Sequence, residues 1–134
     1  MLCLKVEWLK RKKIMSKQEA VIFDLNKTLR KKSGKPRHHV LKKAKKDEKK
    51  ESVVVMSGEP SKYREEARDW LDDHGLDDAK LEMRPKGAVQ HDEKVKEKLL
   101  EEKAGRQFKV TKAYDDKPKN VKMFKKHGIK AVKV

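Results

Sequence analysis

Apolar residues fall into short runs separated by long polar stretches, and three of the runs stop at residues with chemistry. Ala20–Phe23 (AVIF) runs into Asp24, Ser52–Met56 (SVVVM) into Ser57 and Gly58, and Phe108–Tyr114, alternating with lysines, into Asp115 and Asp116. Short β-favouring runs of this kind predict buried parallel strands, and Ala79–Met83 and Ile129–Val134 predict two more. Between the strands the spacing turns helical. Tyr63, Ala67, Trp70 and Leu71 recur at i, i+4, i+7 and i+8, with Pro60 suited to the first helical position and Gly75 near the end. Val95 and Leu99 share a face on a helix that Asp92 is placed to cap. Val121 and Phe124 do so on a helix opened by Pro118 and stopped at Gly128. Gly34-Lys35-Pro36 marks a turn before a further helix. Five strands with intervening helices predict an α/β fold, a three-layer sandwich around a parallel sheet.

The chain's 134 residues leave room for one domain with a modest core. Charged residues make up 45 % against 35 % hydrophobic, so the core must come from these few runs under an ionic surface. The formal net charge of +16 predicts salt-sensitive attraction to polyanions, nucleic acid first, although a lysine-rich surface also serves simply as a solvated one. Lys27 to Lys50 concentrates that charge, with 12 lysines and arginines against Asp47 and Glu48. It reads either as a solvated helix with a loop or as an electrostatic landing strip for a phosphate backbone. His38 and His39 are adjacent, cannot both face one metal from a helix, and are expected at the surface or in a groove. Cys3 stands alone, which excludes an intrachain disulfide and a cysteine-built metal site and suits a reducing, cytoplasmic setting. Residues 1–16 set Leu2, Val6 and Leu9 at helical spacing before Lys10-Arg11-Lys12-Lys13, too short an apolar stretch to span a membrane or act as a secretory signal. A docking element, a basic arm and an extension upstream of a start at Met15 all fit. We treat residues 1–16 as a basic appendage and 17–134 as the domain.

Asp24 follows a buried strand, where α/β sheets bind ligands, though a D-x-x-x-T stretch also suits a helix cap or a turn. Together with Asp115 and Asp116 it could hold a hard divalent ion through oxygen, Mg²⁺ being the expected choice because it keeps waters and works with phosphate. Ser57 and the free N–H groups of the helix after it would form an anion site. Arg84 is a candidate substrate contact. By composition alone Lys96 is one surface lysine among many.

The order of these features, Asp24 to Thr28, then Ser57-Gly58, Lys96 and Asp115-Asp116, resembles the motif order of the haloacid-dehalogenase-like phosphotransferases. Ser57–Leu71 (SGEPSKYREEARDWL), His91–Leu99 (HDEKVKEKL) and Ala113–Val134 (AYDDKPKNVKMFKKHGIKAVKV) look like the 3′-phosphatase domain of the bacteriophage polynucleotide kinase. The likeness covers residues 20–134, and no G-x-x-x-x-G-K-[ST] kinase loop is present. It implies a Rossmann-like sheet of order 3-2-1-4-5 with a minimal cap, and a phosphomonoesterase of nucleic-acid 3′ ends. Asp24 would attack phosphorus to give an aspartyl-phosphate. Mg²⁺ would be held by Asp24, the Asp115-Asp116 pair and the main-chain carbonyl of Asn26, with Ser57 and Lys96 on the phosphate oxygens. Thr28 and Gly58 fall in substrate-binding motif positions, and Lys35 falls where the family has a phosphate-holding arginine.

The chain departs from that pattern twice. Active relatives carry D-x-D-x-T, whose second aspartate moves the proton; here the motif is D-L-N-K-T, and Asn26 cannot shuttle one. General acid/base help is typically worth on the order of 10² to 10⁴ in rate. Glu59 stands where the phage enzyme has an arginine, and would repel phosphate unless neutralised. Three functions stay open at this point: a slowed metal-dependent 3′-phosphatase, a catalytically retired homologue that binds nucleic-acid ends or a protein partner, and a small basic binding protein.

Overall fold

The structure, a computed structural model, describes residues 17–134. The appendage expected at 1–16 lies outside the described residues. Five strands, β1 (Gln18–Phe23), β2 (Ser52–Pro60), β3 (Lys80–Arg84), β4 (Phe108–Asp115) and β5 (Lys130–Lys133), form one parallel sheet in the order β3-β2-β1-β4-β5. β1 is central, pairing Ala20 with Ser52 and Phe23 with Val55 on one side, and Gln18 with Phe108 and Phe23 with Tyr114 on the other. The predicted α/β class and strand order are those observed.

Period-2 alternation divides the strand residues between two cores. Val21, Phe23, Val53, Val55, Leu81 and Met83 pack under α1 (His38–Glu48) and α2 (Arg64–Asp73) through Val40, Leu41, Ala44, Ala67 and Leu71. Ala20, Ile22, Val54, Met56, Ala113 and Ala131 pack under α3 (Asp92–Leu99) and α4 (Pro118–Lys126) through Val95, Leu99, Val121 and Phe124. Both faces of the sheet are therefore covered, which is why its central strands read as unbroken apolar runs. α3 continues through a wide π-helical turn, Leu100–Ala104. A Cβ at Gly105 would come within 2.6 Å of the Leu100 carbonyl, so this turn needs a glycine after it.

Three local expectations differ. Pro60 ends β2, because pairing with β3 resumes beyond a bulge at Pro60↔Arg84. A 3₁₀ turn (Ser61–Tyr63) then delays the helix to Arg64. Tyr63 is consequently exposed, and the inward face of α2 starts at Ala67. Asp92 lies in the first turn of α3 after His91 and makes no cap bond. His38 and His39 are exposed, as expected.

Candidate active site

The C-terminal ends of β1, β2 and β4 bring Asp24, Ser57 and Asp115 to one edge of the sheet, on either side of the strand where the order reverses. Asp24 is 6 % exposed, and its N–H donates to the Tyr114 carbonyl at 2.9 Å, which locks the end of β1 to the end of β4. α3 then drives Lys96 under the pair. Its Nζ donates to Asp24 Oδ1 at 2.7 Å and to Asp115 Oδ2 at 2.8 Å, with the side chain only 1 % exposed. The lysine that composition would leave at the surface is, with Asp115, the most deeply buried charge of the site. A buried ammonium persists only when paired in this way.

Around this core the polar atoms are matched. Thr28 Oγ1 donates to Asp24 Oδ2 at 3.1 Å, and the buried Asn120 amide donates to Asp115 Oδ2 at 3.1 Å and Asp92 Oδ2 at 2.8 Å. The Lys117 N–H donates to Asp115 Oδ1 at 3.0 Å. Asp116 Oδ1 and Asn120 Oδ1 are the exceptions at this site, both buried without a partner. Carboxylate oxygens of Asp24, Asp115 and Asp116 lie within 4.8 Å of one another. A second group of that spacing, Glu97, Glu101 and His127, lies on the outer surface, where His127 Nε2 and Glu97 Oε2 meet at 2.8 Å as a hydrogen-bond contact.

Burial raises the Asp24 carboxyl to about 7; Lys96 opposes that rise and Asp115 adds to it. Burial works against the charged Lys96, but Asp24, Asp115 and Asp92 outweigh it and raise the ammonium above its ordinary value. Asp92 is likewise penalised by burial, yet Lys96, Asn120 and Lys117 hold it below the usual carboxylate range. Because the folded Asp24 value lies above its unfolded one, its contribution to stability is fully present below about pH 4 and is lost as pH rises through about 7. A cation binding beside Asp24 at pH 6.5 should therefore displace a proton, and at pH 8 it should not. Calorimetry with Mg²⁺ in two buffers of different ionisation heat reads this directly: buffer-dependent heat is expected at the lower pH only.

A cleft of about 390 Å³ opens over these groups, lined by Asp24, Asn26, Ser57, Gly58, Glu59 and Asp116 together with Arg84 and Lys117. The larger cavity, about 760 Å³, lies at the other end of the sheet against Lys17, Glu19 and Phe108. A Cβ at Gly58 would overlap the Asp92 carboxylate, so a larger residue there would force that side chain to move. Ser57 is buried, and its Oγ accepts the Glu59 N–H at 3.1 Å. With β2 running on to Pro60 and α2 starting only at Arg64, extended chain takes the place of the expected helix N-terminus beside Ser57.

Several assignments shift on this geometry. Thr28 is fully buried and donates to Asp24, which orients the carboxylate. Arg84 reaches the cleft wall but donates to the carbonyls of Gly58 at 2.7 Å and Gln90 at 2.8 Å, which braces the loop. Lys35 is exposed on the loop before α1 and does not line the cleft. The buried guanidinium on this side belongs to Arg30, which a sequence crowded with basic residues does not single out. Arg30 Nε donates to Asn26 Oδ1 at 2.7 Å, Nη2 to Glu59 Oε1 at 3.0 Å and Nη1 to Glu66 Oε1 at 2.7 Å. The Asn26 amide donates to Glu59 Oε1. Asn120 also went unnoticed in the sequence; an inward asparagine on the helix after Asp115-Asp116 was its one cue.

A parallel sheet of this order, with an aspartate at the end of its central strand, a serine and an acidic pair ending the strands beside it, and a buried lysine beneath, defines a haloacid-dehalogenase-like phosphatase domain. Within that class the chain belongs to the family of the polynucleotide kinase PNKP phosphatase domain, whose model matches residues 14–134. Two solved structures share the fold, one of the Pnkp1/Rnl/Hen1 RNA repair complex and one of the Pnkp1/Rnl/Hen1 complex. The first has a TM-score of 0.82 and 24 % identity and is covered by 90 % of this chain over 43 % of its own. The second has a TM-score of 0.81 and 24 % identity, with 90 % and 47 % covered. The chain thus spans less than half the length of either. No curated protein matches the sequence.

Proposed function

We propose that the protein is a divalent-metal-dependent phosphomonoesterase of nucleic-acid 3′-phosphate ends, with Asp24 as the nucleophile. The observation that carries this reading is Lys96, buried between Asp24 and Asp115 with Asp116 alongside. Among Asp24, Asp115, Asp116 and Lys96, full ionisation leaves a surplus of two negative charges, and Asp116 Oδ1 is a buried acceptor without a donor. Both fit a divalent cation of the Mg²⁺ kind, held by Asp24, Asp115 and Asp116. Bound there, it would offset the repulsion between an anionic nucleophile and an anionic phosphate. Asp24 supplies the attacking oxygen, oriented by Thr28 and Lys96. Ser57 and the Lys117 side of the cleft offer donors to the phosphoryl oxygens.

The test is colorimetric phosphate release from a 3′-phosphorylated oligonucleotide with and without Mg²⁺. Turnover that needs the metal is expected; none under any divalent cation would overturn the assignment. Position 26 lacks an acid to protonate an alkoxide, so an aryl phosphate, whose phenolate departs unaided, should turn over roughly 10² times faster than the oligonucleotide. Equal rates on the two substrates would mean another group protonates the leaving oxygen.

Binding to the oligonucleotide should be electrostatic, through the lysines of Lys27–Lys50, and should fall steeply between low and physiological salt. A flat salt titration, or unchanged affinity on neutralising Lys42, Lys43, Lys45 and Lys46, would remove that segment from the interface. One observation favours a second reading, a retired homologue that binds ends or a partner: Asn26 is tied into Arg30 and Glu59 where a proton carrier is needed. Mg²⁺ binding without turnover on either substrate would select it.

A further inference from the structure

If Asp24 carries a phosphoryl group, some base must take the proton of the water that removes it. The carboxylates around the cleft are nearly all committed. Asp115 accepts from Lys96, Asn120 and the Lys117 N–H, and Asp92 from Asn120 with Lys117 and Lys96 close by. Asp116 belongs to the metal-spaced group with Asp24. Glu59 remains. It lines the same cleft as Asp24 and Ser57, with its side chain 22 % exposed.

We infer that Glu59 is the general base of this site, replacing a proton carrier at position 26; the inference rests on the phosphatase reading above. Its placement is fixed on three sides. The Glu59 N–H is held by Ser57 Oγ at 3.1 Å, and Oε1 accepts both the Asn26 amide and Arg30 Nη2. Arg30 is in turn anchored by Glu66. Arg30 Nε can only donate, so the oxygen of Asn26 must face Arg30 and its NH₂ must face Glu59. That arrangement presents donors alone to Oε1 and leaves Oε2 as the outward oxygen of a carboxylate held in place. Among the described residues, Oε2 makes no hydrogen bond. In the step, a water oxygen bonds to phosphorus as the phosphorus–Asp24 oxygen bond breaks and its electron pair returns to the Asp24 carboxylate. The water proton passes to Glu59 Oε2 and from there to solvent, and inorganic phosphate leaves.

The experiment mixes the protein with Mg²⁺ and an aryl phosphate, follows the phenolate, and measures phosphoprotein by intact mass after acid quench. Glu59→Gln is expected to release one phenolate per protein in a burst within about threefold of the wild-type rate. Its phosphoprotein should then decay roughly 10² to 10³ times more slowly. In Glu59→Ala, added formate should speed that decay, which a purely structural role would not produce. Decay in Glu59→Gln at the wild-type rate would overturn the inference, as would burst and decay slowed equally with no rescue by formate. Absence of phosphoprotein in wild type and Glu59→Gln alike would overturn it differently, by removing the Asp24 phosphatase reading on which it stands.

Discussion

Replacing Asp24 by asparagine should lower phosphate release by on the order of 10⁴ or more while leaving a protein that melts no lower than wild type at pH 8. An amide cannot attack phosphorus, so the chemical loss is that of the nucleophile. The stability expectation follows from the sign of the ionisation. Burial raises the Asp24 carboxyl to about 7, so above that pH the folded protein holds a carboxylate its surroundings disfavour. Removing the charge relieves the cost, and Asn is nearly isosteric. A phosphate assay paired with thermal melts checks both halves. Substantial residual release by Asp24→Asn would reassign the nucleophile, and a melt well below wild type would show that the carboxylate is needed for folding.

Lys96→Met carries the second large effect, this time on the fold. The ammonium is 1 % exposed and joins Asp24 and Asp115 at 2.7 and 2.8 Å. Without it two buried carboxylates face each other with Asp116 beside them. Removing one partner of a buried ion pair typically costs about 3 to 5 kcal/mol. For a domain of this size that corresponds to roughly 10 to 20 °C in melting temperature. Millimolar Mg²⁺ should restore part of the loss, because binding to the native state alone stabilises it, and the gain should exceed that of wild type under the same addition. An unchanged melting temperature in chelator would contradict the buried geometry, and equal metal gains in both proteins would place the cation elsewhere.

Strand positions, class and the acidic strand ends were legible because each rests on a local rule: short apolar runs between polar stretches, each ended by one or two reactive residues. The order of the sheet and the depth of Lys96 were not local. Val95, Lys96 and Leu99 read from the sequence as one apolar stripe with a lysine at its margin, and only the packing of α3 against β2, β3 and α4 turns that margin inward. Arg30 was invisible for a different reason. Its partners Glu59 and Glu66 lie 29 and 36 positions away, and nothing in a basic run distinguishes the one cation that finds them. Thr28 is a substrate candidate from its motif position and Arg84 from the loop after β3, whereas the hydroxyl and the guanidinium both hydrogen-bond within the protein. A strand-end position determines nearness to a site and leaves side-chain direction to be settled by whatever hydrogen-bond partner is closest.

The place of β1 at the middle of the sheet also governs how the domain can be made. Its partners on one side come from β2 soon after it in sequence, but on the other from β4, with Gln18 beside Phe108. Pairings of such wide sequence separation close late, because the loop entropy is lost before the contact repays it. During synthesis β1 and β2, apolar on both faces, must therefore wait with one flank open until residues 108–115 arrive. Asp24 and Asp115 become neighbours only at that step, so the candidate site is completed by the pairing of β4 with β1, before β5 adds at the edge of the sheet.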